Sequence, residues 1–206
     1  MQMRSVRLLW RALIASVSFA SIFVFPGALA VAQTRAPEAA AGCETCHGAG
    51  GDSRKTDIPR LNGQQSEYLL TRLREFLDPT RGTPHATQMM WENATKISDD
   101  EAAALARYFG SQAPTQPNGS GPLVTAGAKI FQQGAGPDIP ACASCHGQKG
   151  EGLGGTPRIA GQHAEYLMGQ LQAFMLTARV GTPMNHHTWH MTPEQMQALS
   201  SYLSNN

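Results

Sequence analysis

A chain of 206 residues holds one medium domain or two small ones, and 41% hydrophobic with 15% charged residues is the composition of a soluble globular protein, not a disordered one. Its formal net charge of +1 leaves no basic stripe of the kind nucleic-acid binders carry. At the start, Arg4, Arg7 and Arg11 lead into an apolar run over residues 12–25, then Pro26-Gly27 and small residues, the layout of a secretory signal peptide over residues 1–32. Cleavage after Ala30 and after Ala32 fit equally well. The alternative is an uncleaved anchor, but the run is 14 residues long and holds Ser16, Ser18 and Ser21, whereas a bilayer span needs ~20 predominantly apolar residues. Removing the three arginines leaves 13 basic and 15 acidic residues, a net charge of −2. Residues 33–113 hold nine basic and eleven acidic side chains and residues 114–206 four of each, so a charged docking surface is expected in the first part if anywhere, a solvated face being the plainer reading.

From Cys43 onward the chain repeats itself. "CETCHGAGGDSRKTDIPRLNGQQSEYLLTRLREFLDPTRGTP" returns from Cys142 as "CASCHGQKGEGLGGTPRIAGQHAEYLMGQLQAFMLTARVGTP". The matched positions include Gly48 with Gly147, Pro59 with Pro157, Gln64 with Gln162, Tyr68 with Tyr166 and Phe76 with Phe174. In the first copy Tyr68, Leu69, Leu73, Phe76 and Leu77 fall at helical spacing, as do Tyr166, Leu167, Leu171, Phe174 and Met175 in the second. Each copy closes on a capped helix. Ser98 with Glu101 and Thr192 with Gln195 have the spacing of a capping box, with Pro193 at the first turn and Gly110 to stop the earlier helix. A further helix is expected over residues 125–133, and no strand pattern occurs. The prediction is an all-α fold of two like domains, residues 33–110 and 123–206, joined by a Gly/Pro/Ser-rich linker over residues 111–122.

The chemistry lies in "CETCH" and "CASCH", 99 residues apart. Four cysteines behind an export signal are compatible with two disulfides, and Cys-x-x-Cys with a thiol redox site or half a zinc site. All three leave the histidine unexplained, and neither the βαβ pattern of a thioredoxin-like site nor a second ligand pair at finger spacing is present. Cys-x-x-Cys-His is the attachment sequence of c-type haem. In a helical turn Cys43 and Cys46 project from one face with His47 beside them, so two thioethers fix the porphyrin edge while the imidazole reaches iron; Cys142, Cys145 and His146 repeat the arrangement. Two covalently bound haem c groups are therefore expected.

Candidate sixth ligands are methionines at equivalent places. Met90 lies eight residues before the cap Ser98 and Met184 eight before the cap Thr192, which favours Met90 over its neighbour Met89. Core packing is the ordinary role of a methionine. His186, His187 and His190, in "MNHHTWHM", are rivals for the second iron, and a His/His site would lower its potential. His85 and His163 are expected at the surface. The carbonyls of Pro59 and Pro157 are candidates to accept the ring N–H of the ligand histidines. Arg60 and Arg158 are candidates to neutralise haem propionates, with a plain surface arginine as the alternative.

These residues resemble the two-haem class I cytochromes c of the cytochrome c4 type. The match runs from Cys43 to Leu203 and rests on the paired Cys-x-x-Cys-His motifs, the "GQ", "EYL" and "L..F" run in each copy, and a methionine before "SDDEAAALARYF" or "TPEQMQALSSYL". The resemblance implies a periplasmic electron carrier, soluble or loosely membrane-associated, whose two domains meet across a pseudo-twofold interface. By position it also implies His47 with Met90 and His146 with Met184 as axial pairs. Such a protein exchanges electrons with a respiratory complex, terminal oxidase or dehydrogenase and is not an enzyme. The alternatives are a haem subunit docked on a periplasmic dehydrogenase, or a peroxidase or thiosulfate-oxidising enzyme with an open or labile sixth position.

Overall fold

The computed structural model describes residues 35–78 and 84–204, so the expected signal peptide lies outside the described residues. Capping chemistry starts the helix that closes each half. The Ser98 side chain accepts from the Glu101 amide while the Glu101 carboxylate accepts from Ser98 N–H, and Thr192 with Gln195 does the same. Asp99, Asp100 and Glu101 add negative charge where the helix dipole is positive.

The first half contains α1 (Ala40–His47), a 3-10 turn (Ala49–Gly51), α2 (Ser66–Glu75), α3 (Pro84–Ala94) and α4 (Asp99–Gly110). The second contains α5 (Pro122–Gln133), α6 (Ala143–His146), α7 (Ala164–Met175), α8 (Met184–Thr188) and α9 (Pro193–Leu203). Among the described residues there is no strand beyond the isolated bridges Leu153 to Thr156 and Gln162 to Ser204. The all-α expectation holds.

Each half has its own buried cluster. In the first, Ala40, Leu69, Leu105, Ala106 and Phe109 join α1, α2 and α4. The second is larger: Phe131, Ile139, Ala143, Leu167, Met191, Met196, Leu199 and Leu203 join α5, α6, α7 and α9. The reason is α5, which lies against α9 and has no separate counterpart among the described residues of the first half, where Ala40 on α1 meets α4 instead. The halves are thus less alike than the repeat implies. Leu77, grouped by spacing with the apolar face, is 50% exposed because α2 ends at Glu75 and the face ends with it.

Residues 111–122 do connect the halves, but they are held in place. Asn62 Nδ2 donates to the Ala113 carbonyl (2.8 Å) and to Thr115 Oγ1 (3.0 Å), Thr115 Oγ1 donates to Asp52 (2.9 Å), and Asn118 N–H donates to the Ser204 carbonyl (3.1 Å). Two of these bonds use the segment's backbone and two use the Thr115 side chain.

Candidate haem sites and the seam between them

Each Cys-x-x-Cys-His motif ends its helix on a glycine. Gly48 sits at φ +78°, and a Cβ there would come within 2.4 Å of the Asp52 carbonyl oxygen, so only glycine turns the chain here. Gly147 repeats the turn at φ +82°. The chain then loops back, held by one carbonyl per half: Gly51 O accepts from Leu61 and Asn62 N–H, and Gly150 O accepts from Ile159 and Ala160 N–H. That return brings a proline carbonyl over each histidine. His47 Nδ1 lies 2.8 Å from Pro59 O, and His146 Nδ1 lies 2.9 Å from Pro157 O. A carbonyl only accepts, so each Nδ1 carries the proton and each Nε2 is left with its lone pair.

Both imidazoles are 7% exposed. Desolvation holds each ring's pKa below the ordinary histidine value, against the opposing pull of the proline carbonyl, and this keeps the ring neutral as a ligand must be. Burial also raises the thiol pKa of Cys43, and that of Cys142 to about 11. Reactive redox thiols are shifted the other way. All four cysteines are unpaired. Among the described residues no three His, Cys, Asp or Glu side chains converge as metal ligands, so neither motif forms a closed thiolate–imidazole site of zinc type.

On α3, Met89 is 56% exposed while Met90 is partly buried, the two side chains being turned apart by one helical step. Met184 opens α8, partly buried, with its N–H donating to Thr182 Oγ1. Of its rivals, His186 and His190 are exposed, whereas His187 is partly buried and its Nδ1 is enclosed without a hydrogen-bond partner. The His85 side chain lies outside the described residues.

The chain crosses between halves at a polar seam. Arg60 pairs with Asp52 (3.0 Å) and donates through Nη1 to the Gly161 carbonyl of the other half (2.9 Å), while Arg158 Nη2 donates to the Thr115 carbonyl (3.2 Å). Neither is a plain surface arginine. His163, expected at the surface, is 2% exposed: it belongs to the seam, its Nε2 donating to the Ser53 carbonyl of the other half at 2.9 Å. Its counterpart Gln65 donates in the same sense to Glu151 O (2.9 Å).

Sequence reasoning also missed Arg179. It is 5% exposed, bonded to Gln170 (2.6 Å) and to Tyr68 of the other half (3.0 Å), with its guanidinium 4.5 Å from the Phe174 ring centroid. Its Nε is buried without a partner. The signal was present as the arginine that recurs before each "GTP", Arg81 and Arg179.

The cytochrome c family profile matches residues 35–113 and again residues 124–206. The chain belongs to the cytochrome c family. It is similar to a cytochrome c-552 of Acidithiobacillus ferridurans, 39% identical over 168 residues, covering 79% of this chain and 72% of the relative. It is also similar to a thiosulfate dehydrogenase electron acceptor of Thiomonas intermedia, 34% identical over 178 residues, covering 82% and 80%. Among solved structures, cytochrome c4 of Acidithiobacillus ferrooxidans aligns with a TM-score of 0.75 and 36% identity, over 80% of this chain and 98% of that one.

The protein is thus a dihaem electron-transfer cytochrome of the cytochrome c4 type, two tandem all-α class I cytochrome c domains with two haem c groups. Its residues fit those groups. In each half two thiols stand three residues apart beside a neutral imidazole whose Nε2 carries the lone pair and whose orientation a carbonyl fixes. When bound, haem supplies a one-electron couple at iron. What the chain supplies is the fixed ring, the burial and the polar seam.

Proposed function

We propose that this cytochrome is exported to the periplasm and relays electrons between redox partner proteins by outer-sphere transfer, with His47 and Met90 on one iron and His146 and Met184 on the other. The observation that carries this reading is the same imidazole-to-carbonyl bond in both halves, which holds each ring in one tautomer and leaves one nitrogen for the metal. With His47 and Met90, and His146 and Met184, held to the two metals there would be no place for a substrate at iron. The arginine-led apolar run at residues 4–25 supports export. Among the described residues no helix is long and apolar enough to cross a membrane.

The similarity to a thiosulfate dehydrogenase electron acceptor supports a second reading of the partners, in which the donor is a dehydrogenase that holds this chain as a bound subunit. Co-purification from the native host at physiological salt distinguishes a bound subunit from a free carrier.

The ligand assignment has a direct test. Met90→His lowers the potential of one iron and removes about half of the sulfur-to-iron charge-transfer absorption of the oxidised protein, since imidazole in place of thioether stabilises the oxidised metal. Met89→Leu leaves both unchanged. Loss of the band in Met89→Leu, with Met90→His silent, would assign the ligand to Met89.

A further inference from the structure

The bonds that fix the two histidines are cross-wired between the halves. Pro59 C=O and Arg60 N–H are the two ends of one peptide group. Its oxygen accepts from His47 Nδ1 at 2.8 Å, and its N–H donates to Gln162 Oε1 of the opposite half at 2.9 Å. In the second half the Pro157–Arg158 peptide does the same: its oxygen accepts from His146 Nδ1 at 2.9 Å, and its N–H donates to Gln64 Oε1 of the first half at 2.7 Å.

Each glutamine is held at both ends of its amide. Gln162 Nε2 donates to Arg60 O (3.0 Å) and Gln64 Nε2 to Arg158 O (2.8 Å). Each Oε1 takes a second backbone donor from the next residue, His163 N–H at 3.0 Å and Gln65 N–H at 2.8 Å. Two backbone N–H groups at one end and a carbonyl at the other fix which end is oxygen. Both side chains are 8% exposed, so water does not compete for these bonds.

We propose that Gln162 sets the potential of the iron held by His47, and Gln64 that of the iron held by His146, each acting from the opposite half through one peptide group. The proposal rests on the histidine ligation put forward above. A peptide whose N–H is engaged carries more negative charge on its oxygen, and consecutive hydrogen bonds strengthen one another by roughly 10–30% per bond. The oxygen then draws harder on the Nδ1 proton, the imidazole becomes the stronger donor at Nε2, and the oxidised metal is favoured. Gln64 and Gln162 are therefore positioning residues: they touch neither metal nor ligand ring. One consequence is that loosening the seam changes both potentials.

The test is Gln162→Leu and Gln64→Leu in the holoprotein, with each haem followed separately by its own paramagnetically shifted haem-methyl resonances during a redox titration. Gln162→Leu is expected to shift the oxidised-to-reduced equilibrium of the first-half iron about threefold toward reduced, ~30 mV upward at 59 mV per tenfold for one electron, with the second-half iron moving by less than a third of that. Gln64→Leu is expected to reverse the pattern. Gln162→Met, which likewise lacks an acceptor for the Arg60 N–H, serves if the leucine variant does not fold, and is expected to shift the first-half iron in the same upward direction. Shifts in the half that carries the substitution, equal shifts in both halves, or no shift would overturn the proposal. Absence of a paramagnetic shift on the His47 and His146 ring protons of the unaltered holoprotein would instead remove the ligation reading, before any variant is compared.

Discussion

Replacing Cys43 and Cys46 together by alanine removes one haem by mass and collapses the helical signal of the first half, leaving the second half folded. The cause is the size of the first core. Among the described residues its buried cluster has five members, of which only Leu69, Leu105 and Phe109 are large. Domains of fewer than about 80 residues hold marginal stability from an apolar core alone. A flat apolar ligand clamped by two covalent bonds makes up the missing interior. The second half, with eight buried members, is the less dependent of the two. Far-ultraviolet circular dichroism with intact-mass analysis checks this. One haem lost with the full helical signal retained would show that the first half folds on its own side chains.

Phe131→Ala is expected to cost ~3–5 kcal/mol, the usual range for deleting a fully buried aromatic ring. Phe131 has no solvent exposure and lies 5.5 Å, centroid to centroid, from the Tyr202 ring between α5 and α9. These two helices cannot move closer to fill the space. At Gly127 their backbones already approach so nearly that a Cβ would fall 2.0 Å from the Ala198 carbonyl oxygen. The cavity therefore stays open, the case in which such substitutions cost most. Against a total stability of ~5–15 kcal/mol this is a large fraction. Denaturant unfolding of the holoprotein measures it, and a loss under ~1 kcal/mol would mean that α5 contributes little to the second core.

Features written within one or two helical turns were legible in the sequence. Ser98 with Glu101, Thr192 with Gln195, and Cys-x-x-Cys-His are patterns of three to five residues, and the structure carries both capping boxes and a helix at each motif. The repeat then gave the architecture. What was illegible depends on groups distant in the chain. His163 reads as a surface histidine because nothing near it in sequence receives its proton; its partner is Ser53, 110 residues away. Arg60 and Arg158 read as propionate partners or surface arginines, because only the fold brings the Gly161 carbonyl of the second half to one and the Thr115 carbonyl of the connecting segment to the other. Gln64 and Gln162 stood out only as a matched pair, since a side-chain amide says nothing of its partner until the fold brings the two Pro-Arg peptides to it.

The central claim is that both irons are closed by protein ligands and pass single electrons. A spectroelectrochemical titration of the purified holoprotein tests it most directly. The account predicts two haems per chain, low-spin in both oxidation states, each titrating with one electron at a potential in the range of histidine–methionine ligation. A high-spin fraction in the oxidised spectrum that shifts on adding cyanide would contradict it, because that iron would have an open position and the chain the means to act as an enzyme.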